Sequence, residues 1–224
     1  MITFDNFSKR LAMAQLKNTS AVDAENLGII LPKYVDTILS LTNQGLVDLS
    51  SRFPLYKSQV DLTFIAGQNL YPLLESEVGT TLTDSSEEPF LDDKFIKILD
   101  VFDSDGKRHS LNTNGHLMTP AHNTIRFTAD KMTELGEKVR IRYQQKPVEI
   151  VETDSINLPP NLETGLQLFV ASLYISHMGG KDHSIKGDSY FAAYLRHIGE
   201  DEAKDLSSTS EVETNTKFED RGFV

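Results

Sequence analysis

The stretch LPPNLETGLQLFVASLYISHMGGKDHSIKGDSYFAAYLRHIGEDEAKDL, residues 158–206, decides the fold of this chain. Its pattern predicts two helices joined by a glycine turn. The prolines at 159–160 suit a helix entrance, because the first helical position has no backbone hydrogen bond to lose. The glycines at 179–180 supply the positive φ that ends a helix. We therefore expect a first helix over residues 160–178.

The first predicted helix is apolar on two opposed sides. With side chains placed at 100° per residue, one face carries Leu162, Leu166, Phe169, Val170 and Leu173. The roughly opposite face carries Leu168, Ala171, Ile175 and Met178. A helix of this kind is either the centre of its own domain or shared with a neighbouring subunit. Because the chain has so few other helices, we favour sharing and interpret the second face as an inter-subunit contact.

Small residues occupy one flank between these two faces, at Gly165, Ser172 and Ser176. They would let another backbone approach closely. The second predicted helix, from residue 187 or 188 to residue 206, is one-sided. Its apolar residues follow the spacing i, i+3, i+4, i+7, at Phe191, Tyr194, Leu195 and Ile198. We expect this helix to cover one side of the first.

Composition narrows the class of protein. With 224 residues, 39% of them hydrophobic, the chain can bury one core, or one core with a sizeable insertion. A formal net charge of −11 argues against a surface that grips nucleic acid or an anionic membrane. The absence of cysteine excludes disulfides and thiolate chemistry and indicates folding in a reducing cytoplasm. Neither a signal-peptide layout nor an apolar run of ~18 residues is visible, so we expect no membrane partner.

The part of the chain before residue 150 predicts helices followed by strands. Helical spacing indicates a helix at 4–17, capped by Thr3 or Asp5, and a longer helix from Pro32 that Pro54 stops. Alternating segments then predict four to six antiparallel strands, at residues 60–64, 70–73, 95–102, 108–111, 123–129 and 138–144.

We expect these strands to pair with their neighbours in sequence. Residues 60–64 and 70–73 read as one hairpin, because a turn-forming AGQN segment separates them. The turn at 103–106 joins the next two strands, and the last two form a further pair. Residues 75–93 read as a long surface loop.

Helices, a β insertion and then helices again give an α+β layout. The predicted class is a core of about four helices with an inserted antiparallel β domain and an extended C-terminal tail. Its parts are N-terminal helices at 1–57, a β insertion at 58–150, a C-terminal helix pair at 151–206 that packs on the N-terminal helices, and a tail at 207–224.

Residue patterns for catalysis or metal binding are absent from the sequence. The segment 103–106, DSDG, resembles part of a calcium loop, but it lacks the first ligand and the later Glu, so it indicates a hairpin turn. The six histidines show no metal-ligand spacing, and there is neither a phosphate-binding glycine loop nor a serine elbow. We predict no catalytic residue, no metal and no cofactor. A hydrolase that uses His116 or His122 with a loop carboxylate is the enzyme alternative with the least support.

The strand at 138–144 is the most basic one. Alternation places Arg140 and Arg142 on the same side of it. This pair could clasp acidic residues of a neighbouring subunit, and an ordinary exposed sheet face is the alternative interpretation.

The order of elements resembles a known family. The features that carry the resemblance are the helix that ends in RFPL at 52–55, the segments VDLTF at 60–64 and YPL at 71–73, the Leu158-Pro159 entrance with Leu166 and Tyr174, and the helix from Tyr190. Together they resemble the head-to-tail connector, or adaptor, proteins of short-tailed bacteriophages. The resemblance covers most of the chain and rests on the order of elements, with no strict motif.

The resemblance implies a structural, non-enzymatic virion protein. Members of the family form closed rings of about twelve subunits beneath the portal of the packaged head. By this likeness the partners are the portal protein, a tail nozzle or tail tube protein, further copies of the chain, and double-stranded DNA that passes through without sequence-specific binding. The tail at 207–224 matches a portal-docking segment in kind, with Phe218, Arg221, Phe223 and Val224 as its docking residues. Assembly would occur in the bacterial cytoplasm, and the final location would be the head-tail junction of the virion.

Two further alternatives remain open. A tail-completion or neck protein, a different virion part of the same class of machine, would bind the tail tube instead of the portal. A carbohydrate-binding β module fits the strands but leaves the two-sided helix unexplained.

Overall fold

The computed structural model describes residues 1–84, 89–113 and 115–204, with side chains up to residue 201. Within these residues, the helices are α1 (Phe4–Met13), α2 (Pro32–Arg52), α3 (Ala129–Leu135), α4 (Pro160–His177) and α5 (Lys181–Lys204). The strands are β1 (Ile2–Thr3), β2 (Lys57–Thr63), β3 (Leu70–Pro72), β4 (Leu82–Asp84), β5 (Phe95–Phe102), β6 (Arg108–His109), β7 (Leu117–Ala121), β8 (Thr124–Phe127), β9 (Lys138–Gln145) and β10 (Ser155–Ile156). The predicted α+β class with antiparallel sheets is confirmed.

Two compact units divide the chain. A helical unit contains Met1–Gly45 together with the described residues after Glu149, and a β unit contains Leu46–Glu149. The sequence placed the first boundary at residue 57, twelve residues later than the division observed inside α2. The last turns of α2 belong to the β unit because the buried amide of Gln144 in β9 donates to the carbonyls of Ser50 and Phe53, the latter at 2.9 Å.

The helical unit is built around α4. Gly45 of α2 brings the backbone of that helix against α4, where a Cβ would lie 2.9 Å from a ring carbon of Phe169. Near the other end of α4, Tyr34 and Tyr174 meet edge to face with ring centroids 6.0 Å apart. The short pair of β1 and β10, with Ile2 opposite Ile156, joins the start of the chain to the segment before α4.

Two hydrogen bonds from one side chain fix the point at which the chain returns to the helical unit. The Asn43 amide donates to the carbonyl of Ile150 over 3.1 Å and accepts from its N–H over 3.0 Å. This two-point contact imitates one rung of a β-ladder. The contact places Ile150, the first residue after the β unit, beside α2, the helix inside which the β unit begins.

The β unit contains a five-stranded sheet and a three-stranded sheet. Their strand orders are β4-β2-β9-β5-β6 and β3-β8-β7, and every pairing is antiparallel. Its apolar core includes the buried residues Val60, Leu62, Tyr71, Phe90, Ile125, Phe127, Val139, Ile141 and Tyr143.

Strand pairing differs from the prediction in two of three cases. β5 and β6 pair across the turn at 103–106 as expected, with Val101 opposite His109. β2 and β3 do not form a hairpin, because β2 pairs with β4 and β9 while β3 pairs with β8 in the other sheet. β8 and β9 likewise lie in different sheets. Strand pairing depends on bringing the apolar faces of the strands to the same side. Strands that are far apart in sequence can meet this condition as well as neighbours can.

Several element boundaries also differ from the prediction. α3 replaces an expected polar connection, capped by Thr128 at its start and by Gly136, at φ 88°, at its end. The expected loop at 75–93 contains β4, and its described residues include the buried Thr81, Leu82 and Phe90. α1 ends at Met13 rather than near residue 17, and α5 begins six residues before the predicted start at 187.

Candidate functional site

The predicted inter-subunit face of α4 is largely internal. Ala171 and Ile175 are fully buried within the described part of the chain, while Leu168 and Met178 keep partial exposure. The two fully buried residues therefore belong to the core of the helical unit, which corrects their assignment to a shared surface. The two-sided pattern arises because helices of the same unit pack around α4, the alternative that the sequence left open.

α5 crosses α4 closely at the small-residue flank. A Cβ added to Gly187 would lie 2.9 Å from the backbone oxygen of Ser172 and would also meet the Ser176 hydroxyl. A buried glycine inside a helix is costly in conformational entropy, so its place here is explained by the close contact of the two backbones. Gly165 serves the same crossing, with the His197 ring 3.3 Å from its Cβ position.

The buried face of α5 differs from the predicted one. Tyr194 and Ile198 are buried as expected, and the Tyr194 ring packs edge to face on Phe169 at 5.3 Å. Phe191 and Leu195 are instead 39% and 42% exposed. Ile185 is 58% exposed and lies on a different side of the helix, about 120° around the axis from Phe191.

A groove lies elsewhere on the helical unit, beside α1 and the start of α2. Its volume is about 650 Å³. Apolar residues that include Ile29, Val35 and Ile38 line it, together with Asp5, Lys9, Asp36 and Glu152. Ile29 is 49% exposed. We call this feature the helical groove. Sequence reasoning missed it because residues from three separate stretches of the chain, 4–9, 28–38 and 152–153, form it.

Arg142, one of the two basic residues predicted on β9, is bound inside its own chain. Its guanidinium donates to Asp100 through Nε at 2.8 Å and through Nη2 at 2.6 Å. Arg108 contacts the other oxygen of the same carboxylate at 2.6 Å. The Asp100 side chain is 7% exposed, so two guanidinium groups neutralise a nearly buried carboxylate. Arg142 also lies over the Phe102 ring, 5.1 Å from its centroid.

Arg140, the second basic residue, faces β2. Its Nε lies 2.9 Å from Asp61, the residue directly opposite in the β2–β9 pairing. The hydrogen bond and charge of Asp61 raise the pKa of Arg140. The predicted clasp of a neighbour by this pair is corrected, because carboxylates of adjacent strands already hold both arginines. A shallow groove of about 400 Å³ runs along this face.

A polar cluster joins the β5–β6 turn to α3. His109, which is 8% exposed, has Nε2 at 2.9 Å from Asp103 and Nδ1 at 3.1 Å from the Lys131 ammonium. Because an ammonium only donates, Nδ1 accepts and Nε2 carries the proton that Asp103 accepts. That bond, with backbone donors from Lys107 and Asp105, lowers the pKa of Asp103. Lys131 in turn lowers the pKa of Glu134.

The histidines of the hydrolase alternative have ordinary surroundings. His116 lies 3.3 Å from the Thr128 hydroxyl, and the His122 ring lies beside Phe95 with centroids 6.3 Å apart. The DSDG segment forms the expected turn, with Asp103 accepting from the N–H groups of Asp105 and Lys107. Among the described residues there is no group of three metal-binding side chains. Nor does any helix in those residues have the length and apolarity to cross a membrane.

The predicted docking tail lies outside the described residues. This applies to Phe218, Arg221, Phe223 and Val224 and to the whole segment 207–224.

No family model matches the chain, and no curated protein matches it.

Proposed function

We propose that this chain is a structural virion protein that forms a ring of about twelve copies beneath the portal of a short-tailed bacteriophage. In this role it connects the head to the tail and surrounds the path along which double-stranded DNA leaves. The proposed partners are the portal protein on one side and a tail nozzle or tail tube protein on the other. The proposed location is the head-tail junction of the virion, after assembly in the bacterial cytoplasm.

One observation carries the proposal: a helical unit interrupted inside α2 by an antiparallel β unit. This architecture agrees with the layout that the resemblance to connector proteins implies, in which helices build the ring and an inserted β part faces outward or toward the tail. The helical unit combines residues from both ends of the chain. Such a unit can supply ring contacts while the inserted β unit contacts a second partner.

Exposed apolar surface on the helical unit supports an assembly role. Ile185, Phe191 and Leu195 of α5 and part of the apolar lining of the helical groove are exposed within the described part of the chain, and a subunit contact could bury this apolar area. Closure into a ring would cover such surfaces without leaving an unpaired end.

The acidic composition suits a DNA conduit. Acidic side chains along a channel repel phosphates, so a chain with a net charge of −11 would let DNA slide without adhering. The same repulsion makes non-specific DNA binding weak, which a filter-binding measurement at low salt would register.

Electron microscopy of the protein mixed with the portal from the same phage tests the proposal. We expect a ring attached to one end of the portal complex. A variant that lacks residues 207–224 should lose portal attachment while keeping its circular dichroism spectrum, because the tail is proposed to dock and not to fold the rest. A Phe218→Ser, Phe223→Ser variant should weaken attachment in the same direction.

Two results would contradict the proposal. Attachment to purified tail tube with none to portal would support the neck-protein alternative. A full-length chain that binds neither partner at high concentration would remove the connector role altogether.

A further inference from the structure

One contact in the β unit joins α3 to the β5–β6 turn through a neutral histidine. The His109 ring lies 2.9 Å from the Asp103 carboxylate through Nε2 and 3.1 Å from the Lys131 ammonium through Nδ1. Since the ammonium can only donate, Nδ1 is the acceptor and Nε2 carries the proton of the neutral ring. His109 is 8% exposed, so the ring takes its hydrogen bonds from these two side chains and not from bulk water.

α3 depends on its contacts with the rest of the β unit. A helix of seven residues is too short to be stable alone in water. Leu135 is buried, and Met132 is partly buried against the apolar core, where its sulfur lies 3.8 Å from the Tyr71 hydroxyl. The Lys131–His109 hydrogen bond adds a polar contact to these apolar ones. Its loss should therefore shift α3 toward local opening.

A second proton on the ring would act on its two neighbours in opposite ways. Histidine is the side chain that most readily changes its charge between pH 5 and 8. With both nitrogens protonated, Nδ1–H would point at the Lys131 ammonium, so the hydrogen bond would be lost and two positive charges would face each other. The contact of Nε2–H with Asp103 would become stronger, because the ring would then be a cation.

Each charged group keeps a partner on its own element after α3 separates from the turn. Asp103 belongs to the same turn as His109, whose hydrogen bond, with those from backbone N–H groups, lowers the pKa of that carboxyl. Lys131 lies 2.8 Å from Glu134 on α3 itself, and this contact lowers the pKa of Glu134. Both carboxylates therefore stay ionised while a histidine titrates, and separation leaves neither Asp103 nor Lys131 without an opposite charge.

The surroundings of the ring contain few other charges that are shielded from water. Val101, directly opposite His109 on β5, is apolar and buried. Asp100 on β5 contacts Arg108 on the other face of the sheet, because successive strand residues point to opposite faces. The other charged groups on the turn, on β6 and around α3 are exposed to water, which screens them: Asp105, Lys107, Arg108, Asp130 and Glu137.

We propose that the His109–Lys131 contact is a pH-sensitive switch, in which protonation of His109 releases α3 from the β5–β6 turn. Docked α3 requires the neutral ring, and mild acid favours the released form. Release would uncover Met132 and the part of the apolar core on which it packs. The switch lies within the β unit and does not depend on the connector role.

Hydrogen exchange of the full-length chain, measured by NMR at a series of pH values, tests the switch. The reporter amides are those of Met132 and Gly136, whose N–H groups donate to Thr128 and Met132 across α3. The ring resonances of His109 in the same samples report its protonation. After correction for the intrinsic pH dependence of exchange, we expect the protection of both amides to fall about tenfold or more, with the midpoint of the ring titration. Amides of the central strand β9 should keep their protection.

Two substitutions should remove the switch in different ways. His109→Gln keeps one donor and one acceptor but cannot gain a charge, so the protection of α3 should no longer change with pH. Lys131→Met removes the ammonium, so a protonated ring would meet no like charge on α3 and the pH dependence should again disappear. The second variant keeps the test decisive if the first fails to fold.

His116→Gln is the matched control. The ring of His116 lies beside the same helix, with Nδ1 at 3.3 Å from the hydroxyl of Thr128, the residue that caps α3. Its titration could therefore imitate the expected effect. We expect this variant to keep the full fall in protection.

Three results would overturn the inference. Protection that stays constant while the His109 ring gains its second proton shows that α3 does not respond to the charge. A ring that stays neutral down to about pH 5 shows that the contact does not switch in the histidine range. A pH dependence that Lys131→Met keeps, or that His116→Gln abolishes, shows that another group is responsible.

Discussion

The helical unit and the β unit are held together by different kinds of contact. In the helical unit, small residues bring backbones together, as at Gly187 on α5 and Gly45 on α2, and apolar side chains fill the rest. In the β unit, one face of the five-stranded sheet packs an apolar core, and the other carries carboxylate-guanidinium pairs between adjacent strands. The two units should therefore respond differently to the same kind of substitution.

This difference shows what determines the packing arrangement in each unit. A helix pair is fixed by shape, so a single added methyl group at a crossing is harmful. A sheet is fixed by register, and opposite charges on facing positions, such as Asp61 and Arg140, favour one register over its neighbours.

The largest effect should follow from Ile175→Ala in the helical unit. Ile175 is fully buried, so its truncation should lower the free energy of unfolding by about 2–5 kcal/mol. Chemical denaturation of the isolated chain gives this value, and hydrogen exchange should locate the loss in the helical unit. Ile185→Ala on the exposed side of α5 is the matched control and should change stability by less than about 0.5 kcal/mol. If Ile175→Ala and Ile185→Ala had equally small effects on stability, Ile175 would not be a core residue, and its assignment to a subunit interface would be restored.

Asp100→Asn should produce the next largest effect, this time in the β unit. The change keeps the shape of the side chain but leaves Arg142 and Arg108 without their shared anion, at an expected cost of about 1.5–3 kcal/mol. The same measurement on Asp61→Asn provides the control. Its partner Arg140 is half exposed, so the expected loss is about 0–1 kcal/mol. A larger loss at Asp61 than at Asp100 would contradict this ranking.

Two glycines of α5 should respond to alanine with opposite signs. Gly187→Ala puts a methyl group against the Ser172 carbonyl and should destabilise the helical unit by about 1–3 kcal/mol. Gly199→Ala meets no atom within 4 Å and should stabilise the helix by about 0.5–1 kcal/mol. Thermal melts of the two variants, side by side, check the signs. A stabilised Gly187→Ala chain would show that the helices do not cross closely there.

The smallest effect should be the pH dependence that arises from Asp103. Its pKa is lowered in the folded chain, so its contribution to stability is present above the ordinary carboxyl value of 3.8 and is lost as pH falls through the folded pKa. Asp103→Ala should therefore reduce the drop in melting temperature that the wild type shows between neutral pH and pH values below 3.8. Asp105→Ala in the same turn is the control, since its side chain is exposed. Identical pH profiles for Asp103→Ala and the wild type would contradict the lowered pKa.

The sequence predicted the helices better than the strand partners, for a physical reason. Helix periodicity is local, and the prolines and glycines that bound α4 act within a few residues, so its predicted end differs by one residue from the observed one. The β5–β6 hairpin was also predictable because a four-residue turn fixes it. The pairing of β2 with β9 joins Lys57 to Gln144, and no local signal specifies a partner so far along the chain.

The candidate surfaces follow the same rule. Arg140 and Arg142 were identifiable as a pair on one side of a strand, but their partners Asp61 and Asp100 lie on strands distant in sequence. The second helix was predicted to begin at residue 187 or 188, whereas Gly187 lies inside α5. Only the packed structure shows that Ser172 and Ser176 require a glycine there. α3 had a usable signal, a threonine cap and a closing glycine around Leu135.

The helical unit is discontinuous in sequence, and this affects how the chain is made. α1 and α2 leave the ribosome before the β unit, whereas α4 follows it. At ordinary rates of synthesis, the apolar sides of α1 and α2 remain uncovered for roughly 5–20 s, until α4 has been synthesised. The nascent chain can complete its β unit in this interval, and a chaperone that recognises apolar helices would find its target in α1 and α2.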